Sequence, residues 1–464
     1  MYFRKLHITH FRCFEDYEIE FAPHVTVLFG KNGSGKTSLI HALHKALSFM
    51  MHSEKIKEKD PKTKKMKPVG ERSLRGGNPY VGVEGFALVG DYHRMNARYA
   101  DDLLDIRGTA ILDEQTPMEW GISAYASNCR LRPSEYKEAF EILYNWHEKT
   151  GKRPLLAYYS DGYPHYTNVA NQKKERTKEE FLVKSSFESI GYTDWNSETG
   201  CTNTWLVRLE TKFRTIENMK RRIGKPTTEE VYAASVKELN IAEKEVGYIT
   251  AILKRFSENE LKIAVEDLEI SSYDARLHIL AKDGTDYSFR NLPAGYKRLF
   301  YMALDIAYRS FLLSNGDDME IEGVVIMDEI DLHLHPELEK VVLGRFMKTF
   351  PKLQFIVSTH SQLVLTGVKT VDGQNRILKM EVGQHKPVPM FDMYGLDLNS
   401  GMQEVMDIHP NDDELNRWIS RCAYMRSKGY DEQARNLEKF VEEKGLISAP
   451  EIERRINEVL KELG

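Results

Sequence analysis

Gly30-Lys31-Asn32-Gly33-Ser34-Gly35-Lys36-Thr37 decides the reading of this 464-residue chain. The stretch fits G-x-x-x-x-G-K-[ST] at every position. Before it stands Val25-Thr26-Val27-Leu28-Phe29, an apolar run that predicts a buried strand. After it, Leu39, Ile40, Leu43, Ala46, Leu47 and Met50 recur at helical spacing. Strand, glycine-rich loop and helix in this order make a phosphate cradle. The glycines let successive backbone N–H groups turn inward, and the helix N-terminus adds partial positive charge. Asn32, Gly33, Ser34, Gly35, Lys36, Thr37 and Ser38 are therefore the expected contacts to a nucleoside triphosphate. Lys36 reaches the outer phosphates and the Thr37 hydroxyl is a ligand for Mg²⁺.

The rest of the composition bounds the class. Apolar residues make up 41% and charged residues 29%, which suits a water-exposed globular chain of two or three structural units. Net charge is −5, so any contact with DNA must come from a local patch. Cys13, Cys129, Cys201 and Cys422 are scattered and form no C-x-x-C pair, which supports neither a disulfide framework nor a zinc site. With no signal-like opening and no apolar run of about 18–20 residues, a cytoplasmic protein without membrane contact is expected.

Along the chain, residues 1–29 read as a short β-meander. Ser53 to Gly70 holds seven lysines against three acids and reads as a solvated loop, with a DNA-backbone contact as the alternative. Strand-like alternation follows at Val81 to Val89 and at Trp120 to Tyr125. A helix is expected near Ser134 to Lys149, and Leu155 to Tyr159 reads as a buried strand. Residues 160–262 are polar, charged and mostly helical by pattern, an inserted arm. From Asn411 onward the pattern suggests three helices. The expected domains are 1–159 and 263–375 as two lobes of an α/β head, 160–262 as the arm, and 376–464 as a helical region for oligomer or partner contacts.

A second motif completes the chemistry. Val324-Val325-Ile326-Met327-Asp328-Glu329 is an apolar strand ending in two carboxylates. Asp328 suits Mg²⁺, opposite Thr37, and Glu329 suits orientation or deprotonation of an attacking water. Phe355-Ile356-Val357-Ser358-Thr359-His360 is another apolar strand with a polar end, and places His360 to touch a γ-phosphate. His333 and His335, near Pro336, lack a third ligand and are not read as a metal site.

Together these motifs resemble the ABC-type ATPase heads of the RecF, SMC and OLD group. The resemblance assigns Asp328-Glu329 as the Walker B pair, Asp331 as the D-loop acid and His360 as the switch histidine. Phe11-Arg12-Cys13-Phe14 resembles the group's N-terminal turn, which implies that Arg12 contacts the nucleotide. Asn291-Leu292-Pro293-Ala294-Gly295-Tyr296-Lys297-Arg298 resembles the signature loop that presses on the nucleotide of a second protomer. Gly295 and Lys297 are thus expected to act in trans, and a dimer or higher oligomer is implied. Pro293 stands where the group carries a serine, so that hydroxyl is missing and Lys297 or Arg298 would supply charge instead. Gln115 is the candidate for the Q-loop glutamine.

Phe391 to Ser400 and the helices after it resemble the PtuA family, the ATPases of Septu anti-phage systems, also found beside some retrons. That resemblance implies an ATP-dependent sensor and scaffold that controls an HNH nuclease of the PtuB kind. The chain shows no Toprim or H-N-H pattern, so no nuclease activity of its own is expected. The alternatives are a RecF- or SMC-like repair ATPase acting on DNA, a scaffold that holds ATP without turnover, and the ATPase of a related system with a Toprim partner.

Overall fold

The computed structural model describes residues 1–59, 66–74, 103–113, 116–125, 135–160, 180–183, 188–195, 202–225, 228–258, 261–316, 320–370, 373–390, 393–394, 412–427, 431–443 and 449–463. Two compact units result, Met1–Tyr394 and Gly395–Gly464. The division falls later in the chain than the 375/376 boundary expected.

In the first unit, β1 (Tyr2–Phe11) and β2 (Phe14–Glu20) form an antiparallel hairpin. β3 (Val25–Phe29), expected to continue this meander, joins a different sheet. Every residue of β3 is buried, whereas β2 buries only Phe14, Tyr17 and Ile19. A strand apolar on both faces is stable only between two covering layers. α1 (Lys36–Leu47) follows the glycine-rich loop. β4 (Ser53–Lys59) and β5 (Met66–Ser73) then pair antiparallel. The lysine-rich stretch is therefore a β-ribbon rather than the loop expected, its residues 60–65 lying outside the described ones. Lysines at 55, 57 and 59 keep a strand's period of two, a signal that no apolar alternation made visible. β6 (Leu103–Leu112) and β7 (Thr116–Tyr125) complete a four-stranded sheet in the order β2-β1-β6-β7. Val81 to Val89, Gln115 and Phe391-Asp392 with residues 395–400 lie outside the described residues.

α2 (Lys137–Thr150) and β8 (Leu155–Tyr159) come next, then α3 (Thr202–Ile223) and α4 (Glu229–Ser257), which pack against each other. β9 (Val265–Ile270), β10 (Leu277–Ala281) and β11 (Asp286–Ser288) form a small antiparallel sheet. α5 (Ala294–Leu313), β12 (Gly323–Met327), α6 (Pro336–Thr349), β13 (Leu353–Thr359), α7 (Gln362–Thr366), β14 (Asn375–Lys379) and β15 (Val388–Pro389) finish the unit. The central sheet runs β15-β14-β3-β13-β12-β8, and its last five strands are parallel. Ligands of such sheets sit at the carboxyl ends of the strands. The two large sheets are stitched by Gln354, buried in β13. Its amide accepts from Phe3 N at 2.7 Å and donates to Phe3 O at 2.8 Å and Ala22 O at 2.7 Å.

The root of the α3–α4 pair is built into the head. Trp205 stacks on Tyr308, ring centroids 5.1 Å apart, and its indole N–H donates to Asp305 at 2.6 Å. Asp305, fully buried on α5, also accepts from Tyr159 Oη at 2.7 Å and Arg309 Nε at 2.7 Å. Arg309 donates onward to the carbonyls of Gly191 and Thr193. Arg208 and Glu245 form a second buried pair, bidentate at 2.6 and 2.9 Å. Asp305→Ala would leave the Arg309 guanidinium buried without its carboxylate. Breaking such a pair costs about 3–5 kcal/mol, and a loss of that size in urea-unfolding stability is expected. Stability within about 0.5 kcal/mol of the parent would refute the structural role.

The second unit holds three helices, as the pattern suggested: α8 (Asp412–Ser427), α9 (Asp431–Glu443) and α10 (Ala449–Leu463). Ile419, Cys422, Ala423, Ile452 and Ile456 form its core, with Trp418 and Leu437 packed against them. Trp418 and Leu437 are thus partly covered within the unit. Tyr424 remains 55% exposed, and the Phe440 side chain lies outside the description. Burial pushes the Cys422 thiol up to about 11. Among the described residues no helix is long and apolar enough to cross a membrane.

Candidate functional site

β3, β13 and β12 are neighbours in the parallel sheet, so the segments leaving their carboxyl ends meet. These are the glycine-rich loop, Ser358-Thr359-His360 and Asp328-Glu329. The loop turns at Gly33 (φ 81°) and Gly35 (φ 97°), a conformation that a side chain would strain. A Cβ on Gly35 would also lie 2.8 Å from Phe14 and 3.0 Å from Cys13 Sγ. The β1–β2 turn carrying Arg12 (φ 48°) therefore abuts the loop. Arg12 itself sits over the Phe11 ring at 5.4 Å.

Lys36 is buried, its ammonium donating to Gly30 O at 2.7 Å and Lys31 O at 3.2 Å. Burial draws its pKa below the ordinary lysine value, opposed by the carboxylates of Asp328, Glu329 and Asp331. Those acids are near enough to matter electrostatically, as a shared metal and phosphate site requires. Asp328 is buried and accepts from Ser358 Oγ. The same oxygen accepts from Glu329 N at 2.9 Å. Glu329 has φ 49°, a left-handed backbone that costs about 1–3 kcal/mol in a non-glycine residue. Ser358 from one side, and Arg298 donating to Glu329 O at 3.1 Å from the other, hold it there. Its carboxylate lies 3.7 Å from His360 Nε2. Asp331 accepts from Thr359 Oγ1 and from His360 N at 3.3 Å, so it fixes the segment that carries His360.

The residues fit a nucleoside triphosphate with its metal. Ser34 Oγ is buried inside the loop and has no partner among the described residues. The first amides of α1 lack intrahelical acceptors and the Thr37 hydroxyl is exposed beside them. Among the described residues no group of three or more His, Cys, Asp or Glu could hold a metal alone. Mg²⁺ needs no such cage, since one or two protein oxygens plus phosphates and waters suffice. Thr37 and Asp328 could supply those two oxygens here. His335 is the N-cap of α6, accepting from Glu337 N.

Helix α5 starts at Ala294, with Pro293 at the N-cap position. Gly295 packs on the backbone of His333 and Leu334; a Cβ would sit 3.0 Å from His333 O. Lys297 Nζ lies 5.6 Å from the Tyr301 ring centroid. Arg298, expected as an alternative source of charge toward a second protomer, is instead turned inward. It is buried and donates to the carbonyls of Asp328 and Glu329. Sequence reasoning missed this brace and the bridging role of Ser358. The available signal was a hydroxyl pair, Ser358-Thr359, closing an otherwise apolar strand.

A family model described as an AAA domain matches residues 5–278. The chain is 24% identical over 375 residues to the retron Vc95 probable ATPase of Vibrio cholerae serotype O1 biovar El Tor, covering 74% of this chain and 67% of that protein. It is 24% identical over 418 residues to the retron Ec83 probable ATPase of Escherichia coli, covering 83% and 72% respectively. Septu protein PtuA of Bacillus mycoides (strain KBAB4) is 36% identical over 88 residues, 19% of this chain and 12% of that protein. Among solved structures, the recombination mediator protein RecF with ATPrS aligns with a TM-score of 0.40 and 13% identity, over 84% of this chain and 98% of that one.

Proposed function

The chain belongs to the AAA domain family, and on that premise we propose that it is the ATP-binding and ATP-hydrolysing subunit of a bacterial anti-phage defence complex that controls a partner nuclease. The observation that carries the ATPase reading is the meeting of Lys36, Asp328, Glu329 and His360 at the ends of three adjacent parallel strands. The likeness to two retron ATPases and to PtuA supports the defence setting.

Bound ATP–Mg²⁺ supplies an activated γ-phosphoryl group whose charge the metal partly neutralises. Asn32 to Ser38 wrap the phosphate chain with backbone amides, and Arg12, beside the loop, adds charge at its edge. Lys36 neutralises the outer phosphates, while Thr37 and Asp328 would hold the metal. Glu329, held in its left-handed conformation, accepts a proton from the attacking water. His360, 3.7 Å away, orients that carboxylate and touches the γ-phosphate. Gly295 and Lys297, at the start of α5, complete the site of a second protomer. The protein is therefore a dimer or larger assembly, and monomeric mass by light scattering at micromolar concentration, with and without ATP, would refute this part. Pro293 removes one hydroxyl from that interface, which slows turnover without preventing nucleotide-dependent closure.

The nuclease reading follows the PtuA likeness, and an HNH enzyme of the PtuB kind is its specific form, acting on DNA while this chain cuts nothing itself. Co-expression with the adjacent gene tests it. The full chain should retain a nuclease through purification and protect cells in plaque assays. A chain truncated after Leu398 should still bind ATP and lose both properties. DNA degradation by the purified chain alone with Mg²⁺ would overturn the proposal.

A further inference from the structure

A cavity of about 300 Å³ lies at the other edge of the central sheet. It is lined by the end of α2, by Gly151 to Arg153 leading into β8, by the end of α5, and by Ile321 and Glu322 leading into β12. β8 and β12 run parallel to β3, so their starting ends face away from the nucleotide site. The volume is at the small end of cavities that take organic ligands.

Its chemistry is cationic and donor-rich. Lys152 and Arg153 are adjacent in the chain and both line the cavity, with Ser314 and Asn315 from the end of α5. Glu322 is the one acid among the lining residues; its carboxylate is bound by the amino group of Met1, and Lys152 is near enough to it to help hold it ionised. Trp146 lines the cavity at 8% exposure, and its buried indole N–H has no acceptor among the described residues. Leu313 and Ile321 give the cavity an apolar wall. Two neighbouring cations, the Trp146 indole N–H and an apolar wall match one class of ligand. We propose that this cavity binds a small phosphate-bearing anion, up to the size of a nucleoside monophosphate. Lys152 and Arg153 take the phosphate, and the Trp146, Leu313 and Ile321 wall takes the rest. The occupant would touch the end of α5, the helix whose Arg298 holds the carbonyls of Asp328 and Glu329.

Hydrogen–deuterium exchange on the full chain tests this, with inorganic phosphate and adenosine monophosphate as separate probes. Either should protect peptides covering 146–154 and 311–323. Protection by phosphate alone marks a simple oxyanion site; protection by the nucleotide alone marks a site that needs the apolar wall. Lys152→Glu, at an exposed position that folding tolerates, should weaken that protection about tenfold or more, the loss of one charge-assisted contact. Arg153→Gln should weaken it in the same direction. Lys36→Ala should leave it intact, which separates this cavity from the glycine-rich loop. Absence of protection with both probes, or protection confined to residues 30–38 and lost in Lys36→Ala, would overturn the proposal.

Discussion

Lys36→Ala is expected to raise the dissociation constant for ATP by at least about a hundredfold in calorimetry. Hydrogen bonds to charged groups contribute about 1.5–3 kcal/mol each, and a lysine facing the outer phosphates makes one or two. At 1.4 kcal/mol per factor of ten, two such bonds alone reach roughly two to four decades. The geometry adds a reason why the loss should be this large. The ammonium is already withdrawn from water and held by the carbonyls of Gly30 and Lys31. Its desolvation is therefore completed before the nucleotide arrives, and little reorganisation opposes binding. Alanine suits a first helical turn, so the variant should fold with an unchanged circular dichroism spectrum. Unchanged ATP affinity in a folded variant would remove Lys36, and with it the loop, from the nucleotide site.

The parts of this site legible in the sequence are those where local chemistry and strand order coincide. β3, β12 and β13 announce themselves because each is dominated by apolar residues and runs into polar ones, the signature of a strand buried on both faces. That argument places Lys36, Asp328, Glu329 and His360 on one sheet edge before any coordinate is known. It does not say which strand neighbours which. Gln354 and Asp305 show why. Each is a polar residue in an apolar run, and each is explained only by partners far away in the chain, Phe3 and Ala22 for one, Tyr159 and Trp205 for the other. The lysine-rich ribbon at β4–β5 escaped because its alternation is between charges, which carries no burial signal. Arg298 escaped because a basic residue beside a phosphate-binding motif invites a phosphate contact. The fold uses it instead to hold a strained backbone.

That strained backbone leads to the second large effect. Glu329→Gln should keep ATP bound while cutting phosphate release by about 10²–10⁴, the range for loss of a general base. The substitution is nearly isosteric, so Ser358 and Arg298 still grip the main chain on either side of residue 329. The cost of φ 49° is met as before, and the fold should not register the change. What disappears is the carboxylate that we propose takes the proton from water. Lys36, Thr37 and Asp328 do not depend on it, so nucleotide affinity should stay within a few-fold. His360→Ala should behave differently: the base remains, and the loss of a neighbour 3.7 Å away should lower turnover less than Glu329→Gln does. A nucleotide-bound variant that no longer hydrolyses should also hold any ATP-dependent assembly closed, and so accumulate the larger species in light scattering. Equal phosphate release from Glu329→Gln and the parent would remove Glu329 from the chemistry. It would leave Asp328 and the glycine-rich loop as a site that binds ATP without using it.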